Sequence, residues 1–155
     1  MKDRAGFIAI NVLGVAAFVY PFFIHVPAAN NETFSHASDA PVVFTLFGAL
    51  LIAVAMTELR AGRMDAKQIA LLGLLSGVNA MLRVPGALAG ASLMFVLPIL
   101  CGATFGARFG FMLGATSMAA SAAITGGIGP WLPFEMFGLG WVGAGAGFGA
   151  PTRIP

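Results

Sequence analysis

The sequence predicts an all-α integral membrane protein, with about six transmembrane helices in a bundle packed through glycine and alanine and with both termini in the cytoplasm. Three observations lead to this fold class. Hydrophobic residues make up 59% of the 155-residue chain and charged residues only 9%, against about 45–50% and about 25% in soluble globular proteins. The apolar stretches approach or reach the roughly 20 residues that a helix needs to cross hydrocarbon. No alternating pattern of about ten residues recurs, so strands are not expected as the spanning element.

Six apolar segments define the expected layout. They are residues 5–26, 41–57, 68–82, 87–105, 109–125 and 134–148. The first is too long for a signal peptide and lacks a small-residue cleavage site, so we expect it to be a retained helix. The third is short and is expected to reach the interfaces through its flanking Lys67 and Arg83. The glycine- and proline-rich residues 126–133 are expected to interrupt the helical structure.

The basic residues set the expected topology. With the N-terminus in the cytoplasm, seven of the eight basic residues fall on the cytoplasmic side, as the positive-inside rule favours. These seven are Lys2, Arg4, Arg60, Arg63, Lys67, Arg108 and Arg153. Only Arg83 falls outside. The protein is therefore expected to be a multi-pass protein of the cell membrane.

The residue inventory excludes several classes of function. The basic residues are too few and too dispersed for a nucleic-acid surface. The single cysteine, Cys101, allows no internal disulfide and no cysteine-based metal site, and its apolar surroundings predict a small buried residue. The chain has neither an HExxH motif nor a nucleotide-binding loop. His36 and Asp39 are interpreted as solvated loop residues, so we expect no catalytic residue, metal or cofactor.

Small residues recur at helical spacing in two places. Glycines occur every fourth residue at positions 102, 106, 110 and 114, across the predicted turn between the fourth and fifth segments. This spacing lets helix backbones approach closely, either within the chain or against another subunit. In the third segment, Ala66, Ala70, Gly73 and Gly77 form a second small face. It implies a close helix neighbour, which could belong equally well to this chain or to another protein.

Arg83 and Glu135 are the two charged residues that a membrane location explains least. Arg83 either binds lipid phosphates at the interface or lines an outward-facing pocket for a polar ligand. Glu135, the only acidic residue after Asp65, is its natural counterpart, in a structural ion pair or in a ligand site. Close to Glu135, Trp131 and Phe134 are either interfacial aromatic residues or the apolar wall of a small-molecule pocket.

Several strings in the second half of the chain are specific enough to suggest a family. Residues 125–136 read Thr-Gly-Gly-Ile-Gly-Pro-Trp-Leu-Pro-Phe-Glu-Met, after Ser121-Ala and before Gly140-Trp-Val-Gly. Residues 106–114 read Gly-x-x-Phe-Gly-Phe-x-Leu-Gly, and residues 79–83 read Asn-Ala-x-Leu-Arg. Over residues 66–149 the chain resembles the substrate-binding S components of energy-coupling factor (ECF) vitamin transporters.

The resemblance implies a subunit that captures a vitamin from outside and works with a transmembrane coupling subunit and two ATPase subunits. Its ligand would be a small vitamin, with cobalamin or a precursor as the first choice. The matching positions for substrate binding are Asn79, Arg83, Thr125, Trp131, Phe134 and Glu135. The small residues that would pack on the coupling subunit are Ala66 and Ala70, extended by Gly73 and Gly77.

The same resemblance divides the chain into residues 1–65, an N-terminal two-helix membrane extension, and residues 66–155, an S-component-like core. Cores of that family usually have six helices, and this region supplies four, so we expect it to be incomplete at its C-terminal end. Three alternatives stay open. The chain could be a structural or assembly membrane protein without a ligand, a stand-alone small-molecule carrier, or a membrane-embedded enzyme that uses His36, Asp39 or Glu135.

Overall fold

The computed structural model describes residues 2–23, 40–60, 62, 64–83, 93–129 and 131–149. Over these residues the chain forms six α-helices and no strand, which confirms the all-α class. The helices are α1 (Lys2–Phe23), α2 (Ala40–Arg60), α3 (Ala66–Met81), α4 (Val96–Phe105), α5 (Ala107–Thr125) and α6 (Leu132–Gly149), and a short 3-10 helix, Leu93–Phe95, precedes α4. In the described part of the chain, no helix combines the length and the apolar character that a membrane crossing requires.

Two of the helices differ from the expected segments. The described part of the fourth segment consists of the 3-10 helix and the ten-residue helix α4, and residues 84–92 lie outside the described residues. Helix α6 begins at Leu132, so Leu132 and Pro133 belong to the helix and not to the interrupting loop. The expectation that all of residues 126–133 are non-helical was therefore wrong. Proline is compatible with a first helical turn, where its missing N–H has no intrahelical partner to lose.

The chain divides into two compact units, Met1–Arg63 and Met64–Pro155. In the first unit, α1 packs on α2, and its buried residues include Phe7 and Val54. The amide of Asn11 donates a hydrogen bond to the carbonyl of Phe7 one turn earlier, at 2.8 Å. This polar side chain is thus satisfied within its own helix, as an apolar environment requires.

The second unit begins with a capped helix. The Asp65 carboxylate accepts a hydrogen bond from the Gln68 backbone N–H at 2.7 Å, and the Asp65 N–H donates to the Gln68 side chain at 3.3 Å. This reciprocal pair is a capping box, which satisfies two backbone donors that the first turn leaves free. It fixes the start of α3 at Ala66.

Helices α4 and α5 meet at Gly106, where the chain reverses direction. Gly106 has φ +97° and ψ 166°, a backbone conformation that L-residues rarely adopt. At the other end of α5, Gly126 adopts a left-handed conformation with φ +70°, and both Gly126 and Gly127 donate to the carbonyl of Ala122. Two glycines thus delimit α5, because they can occupy the positive φ that a helix end of this kind demands.

The helices of the second unit alternate in direction. A buried cluster joins the start of α4, the second half of α5 and the start of α6 through Met94, Met118, Ala122, Leu132 and Leu139. The start of α4 and the start of α6 therefore lie at the same end as the C-terminal end of α5. The two flanking helices run antiparallel to α5, as the short connections between them favour.

Glycine brings the backbones of these three helices into contact. A β-carbon on Gly102 of α4 would collide with the Gly143 carbonyl of α6. A β-carbon on Gly110 of α5 would lie 2.5 Å from the same oxygen and 2.7 Å from the Cα of Gly102. Gly114 is equally close to the α6 backbone at Leu139. Small residues at these positions permit the closest helix approach that the backbone allows.

The glycine face predicted for positions 102, 106, 110 and 114 is therefore only partly correct. Gly102 lies on α4, whereas Gly110 and Gly114 lie on α5, and all three pack inside the bundle. Gly106 is the turn residue between the two helices, and no atom lies within 4 Å of the position its β-carbon would take. Glycine is required here by the backbone conformation and not by packing. Regular spacing in the sequence cannot distinguish these two reasons.

Candidate ligand site and docking face

One face of α3 packs on α5 through polar side chains. Ser76 and Thr116 lie 2.6 Å apart, and the Asn79 amide nitrogen donates to the Ser117 hydroxyl at 2.9 Å. Thr116 and Ser117 themselves donate to the carbonyls of Met112 and Gly114 in their own helix. Each of these two hydroxyl protons is therefore already used. It follows that Ser76 donates to Thr116, and that Asn79 must present its N–H, and not its oxygen, to Ser117.

This assignment leaves two buried polar atoms of the second unit without a hydrogen-bond partner among its described residues. They are the Asn79 side-chain oxygen and the Ser121 hydroxyl, and their residues are 1% and 0% exposed. Ser121 lies one turn after Ser117 on the same face of α5. A buried acceptor without a donor costs about 1–3 kcal/mol. The pair therefore marks a place where a donor from outside the protein would be stabilising.

Arg83 lies just beyond the end of α3, one turn after Asn79. Its guanidinium makes an ion pair with Glu135 in the first turn of α6, with 3.5 Å between Nη2 and Oε2. Its second terminal nitrogen, Nη1, donates to the thioether sulfur of Met118 at 3.3 Å. A thioether is a weak acceptor for a charged donor. Arg83 thus joins α3, α5 and α6 while most of its donor capacity is unused within the described residues.

The exposure of the ion pair decides what it contributes. The side chains of Arg83 and Glu135 are 32% and 36% exposed. Only one nitrogen and one oxygen take part, at the outer limit of hydrogen-bond distance, and pairs of this kind contribute about 0–1 kcal/mol. The pairing predicted from the sequence is present. It is too loose to be explained as a main support of the fold.

The other residues predicted for substrate binding lie near the same end of the bundle without joining the ion pair. Thr125 is exposed and donates to the Ser121 carbonyl at 2.9 Å. Trp131 is 55% exposed, and its ring lies against Gly129, where a β-carbon would be 2.5 Å from the ring. Phe134 is half-buried in the first turn of α6. Neither Thr125 nor Trp131 bonds to Arg83 or Glu135 through any side chain that the structure describes.

The sequence reasoning did not identify the polar partners on α5. Ser76 of α3 and Thr116, Ser117 and Met118 of α5 were not singled out, and Ser121 appeared only in a family string, although Asn79 was singled out. A signal was available, because Ser117 and Ser121 lie four residues apart in an otherwise apolar helix, and Ser76 lies three before Asn79. Polar residues at that spacing share one helix face and indicate a facing polar partner.

The small-residue face of α3 is turned away from this interface. Leu72, Ser76, Asn79 and Ala80 are buried, whereas Ala66, Ala70, Gly73 and Gly77 are exposed. No atom lies within 4 Å of the positions that β-carbons on Gly73 and Gly77 would take. The stripe therefore has no helix neighbour among the described residues of the second unit. The second alternative, a partner from another protein, stays a prediction.

Within the described residues, no three histidine, cysteine or acidic side chains come together as a metal site would require. His36 and Asp39, which an enzyme hypothesis would need, lie outside the described residues. No protein-family model matches the chain, and no significant match was found among curated proteins or solved structures.

Proposed function

We propose that this chain is the substrate-capturing membrane subunit of an ATP-driven vitamin importer, working with a separate coupling subunit and ATPases. The observation that carries the proposal is the group formed by Arg83, Glu135 and Asn79. It combines a loose, partly exposed ion pair with a buried acceptor that has no donor. Polar groups of this kind, placed at one end of an apolar helix bundle, suit the capture of a small ligand.

The outer surface of the helices supports a membrane location. Each of the six described helices exposes large apolar side chains, such as Val12 on α1, Ile52 on α2 and Leu74 on α3, which are 60%, 66% and 67% exposed. In the second unit, Leu100, Ile124 and Phe148 are also more than half exposed. Apolar surface on this scale is costly in water, at about 25 cal/mol per Å², and is stabilised by lipid or by a protein partner.

The threonine hydroxyls on the helix surfaces fit the same environment. Side-chain hydroxyls in the helices donate to carbonyls three or four residues earlier, as Thr45, Thr57 and Thr104 do. Satisfying polar groups inside the helix is what hydrocarbon requires, because no water is present to bond them. Apart from Glu135 and Arg108, helices α4, α5 and α6 carry no charged side chain.

The exposed small face of α3 supports docking of the coupling subunit. Where side chains are this small, a second helix can approach to backbone contact and gain dispersion energy along its length. Ala70 and Gly73 lie near the middle of α3, away from the Arg83 end, so a partner on this face would leave the ligand group accessible. In this proposal, ligand capture and partner docking use two different faces of the same helix.

That exposed face also favours a second candidate, a membrane assembly protein without a ligand. In this alternative the Arg83–Glu135 pair is only structural, and replacing either residue affects nothing except stability. A stand-alone carrier would share the ligand site and would differ in moving its substrate without an ATPase. The first question is therefore whether the chain binds a vitamin at Arg83.

A ligand screen on detergent-purified protein tests the proposal. A panel of B vitamins and corrinoid precursors would be added singly, and the rise in the thermal unfolding midpoint would be measured. We expect one class of compound to raise the midpoint, by the free energy that binding adds to the folded state. Arg83→Ala should remove that rise, whereas Lys67→Ala, an exposed cation at the opposite end of α3, should keep it. No rise with any compound, or a rise unchanged in Arg83→Ala, would contradict the proposed site.

A further inference from the structure

Arg83 lacks a good hydrogen-bond acceptor, whereas Glu135 and Asn79 lack hydrogen-bond donors. Arg83 Nη1 is a charged donor whose partner is a thioether, the Met118 sulfur at 3.3 Å. Glu135 uses only Oε2, at 3.5 Å, and its second oxygen has no hydrogen-bond partner among the described residues. The Asn79 side-chain oxygen, one turn before Arg83 along α3, has no donor in the part of the chain that the structure describes. The group therefore lacks one good acceptor and at least two donors.

The net charge of the group limits which ligands can supply the missing acceptor and donors. Arg83 and Glu135 carry one positive and one negative charge, and these cancel. An anionic ligand that reached Arg83 would approach the Glu135 carboxylate, and a cationic ligand that reached Glu135 would approach the guanidinium. Like charges at such distances disfavour binding in a partly desolvated site. A neutral ligand incurs neither cost.

An amide is the neutral group that supplies both an acceptor and donors. Its carbonyl oxygen is a far better acceptor than a thioether sulfur, and its N–H groups are donors. Met118 can give way to it, because methionine is unbranched and adapts to irregular spaces. The carbonyl would replace the Met118 sulfur on Arg83, and the N–H groups would face Glu135 and the Asn79 oxygen.

We infer that Arg83, Glu135 and Asn79 recognise the amide-type edge of a neutral ligand, a carbonyl oxygen beside an N–H, and select against the corresponding carboxylate. This rests on the proposed capture function and specifies the chemical class of the substrate. The assignment of Asn79 strengthens it. The Ser117 proton is committed to the Gly114 carbonyl, so the Asn79 amide cannot rotate to offer its nitrogen to the ligand.

Two matched pairs of compounds test the inference directly. Nicotinamide differs from nicotinate only in an amide that replaces a carboxylate, and dicyanocobinamide carries side-chain amides where dicyanocobyrinic acid carries carboxylates. Binding to the detergent-purified full chain would be measured by thermal shift and by equilibrium dialysis. In any pair that binds, we expect the amide to bind at least about tenfold more tightly than the carboxylate. Each unpaired buried group or like-charge contact lowers the affinity by about a factor of ten.

A charge-removal variant tests which residue sets this preference. Glu135→Gln keeps the shape of the side chain and leaves Arg83 as the only charge in the group. We expect the carboxylate member to gain about tenfold relative to its amide in this variant. Asp65→Asn is the matched control. It also removes one negative charge, and asparagine is still a good helix cap. Helix α3, about 24 Å long, separates Asp65 from the Arg83 end.

The outcomes separate the inference from the function on which it rests. Tighter binding of the amide in the wild type, reduced about tenfold by Glu135→Gln and unchanged by Asp65→Asn, supports both. Equal or tighter binding of the carboxylate, or a vitamin panel whose only ligand lacks an amide-type N–H, overturns the inference and leaves the capture function standing. If no compound in the vitamin panel binds, both are wrong.

Discussion

The contact of three helix backbones around Gly110 leads to a quantitative prediction for Gly110→Ala. The added β-carbon would lie 2.5 Å from the Gly143 carbonyl oxygen on α6 and 2.7 Å from the Cα of Gly102 on α4. Ordinary contact distances are about 3.5 Å. Helix α5 would have to move about 1 Å away from both neighbours at once. Since the colliding atoms are backbone, no side-chain rotation can relieve the contact.

The expected cost follows from these distances. Overpacking of a close-packed site costs about 1–3 kcal/mol. The Gly110 site belongs at the upper end of that range, because backbone atoms of two helices bound it. Alanine is about 1 kcal/mol more favourable than glycine inside a helix, which offsets part of the cost. The net destabilisation of Gly110→Ala is therefore about 2 kcal/mol. For a chain of this size it corresponds to a fall of roughly 4–8 °C in the unfolding midpoint.

The single cysteine provides the assay. Cys101 is 7% exposed and lies next to Gly102 in α4, so a thiol-reactive fluorogenic dye reports the opening of this part of the bundle on heating. The control is Gly145→Ala on α6, where no atom lies within 4 Å of the added carbon. It should keep or slightly raise the midpoint. If Gly110→Ala melts at the wild-type temperature, α5 does not contact its neighbours through its backbone at this residue.

Three further predictions concern the start of α3, the α4–α5 turn and the exposed face of α3. Asp65→Ala removes the capping box and should cost about 1 kcal/mol in thermal unfolding, whereas Asp65→Asn should cost much less; equal losses would contradict the cap. Gly106→Ala places a β-carbon at φ +97° and ψ 166°, a region that only glycine occupies readily, and should cost about 1–3 kcal/mol, whereas Gly126→Asn, in the left-handed conformation that asparagine tolerates, should cost less; the reverse order would be contrary evidence. Ala70→Leu should abolish co-purification with the coupling subunit and spare vitamin binding, whereas Ala70→Ser should keep both; loss of ligand binding alone would refute the docking face.

Much of the helical layout was predictable because the sequence places charges and glycines between apolar runs. The end of α5 at Thr125 was predicted, since residues 126–129 contain three glycines that favour a left-handed cap. The start of α6 was less predictable. Proline usually interrupts a helix, but at Pro133 it occupies the first turn, where it is tolerated.

The candidate site was predictable in its charged pair and in Asn79, but not in the partners of Asn79 on α5. In the apolar second half of the chain, Arg83 and Glu135 were the obvious candidates for each other, and the structure pairs them. The polar contact between Asn79 and Ser117 joins residues 38 positions apart, and no local pattern specifies which faces of α3 and α5 meet. The contact between Gly110 and Gly143 could not be predicted for the same reason. Helix pairing depends on tertiary packing, to which each helix contributes only one surface.

The location of the chain in a membrane is the claim on which ligand capture and docking both depend. Flotation of alkali-washed membranes through a sucrose gradient tests it most directly, since embedded protein rises with lipid while aggregated protein sinks. A peripheral membrane protein serves as the release control. We expect the chain to float with the lipid fraction after alkaline extraction and to leave it only in detergent, because its exposed apolar side chains contact the acyl chains. Recovery in the alkaline supernatant as a monodisperse protein would contradict the membrane location.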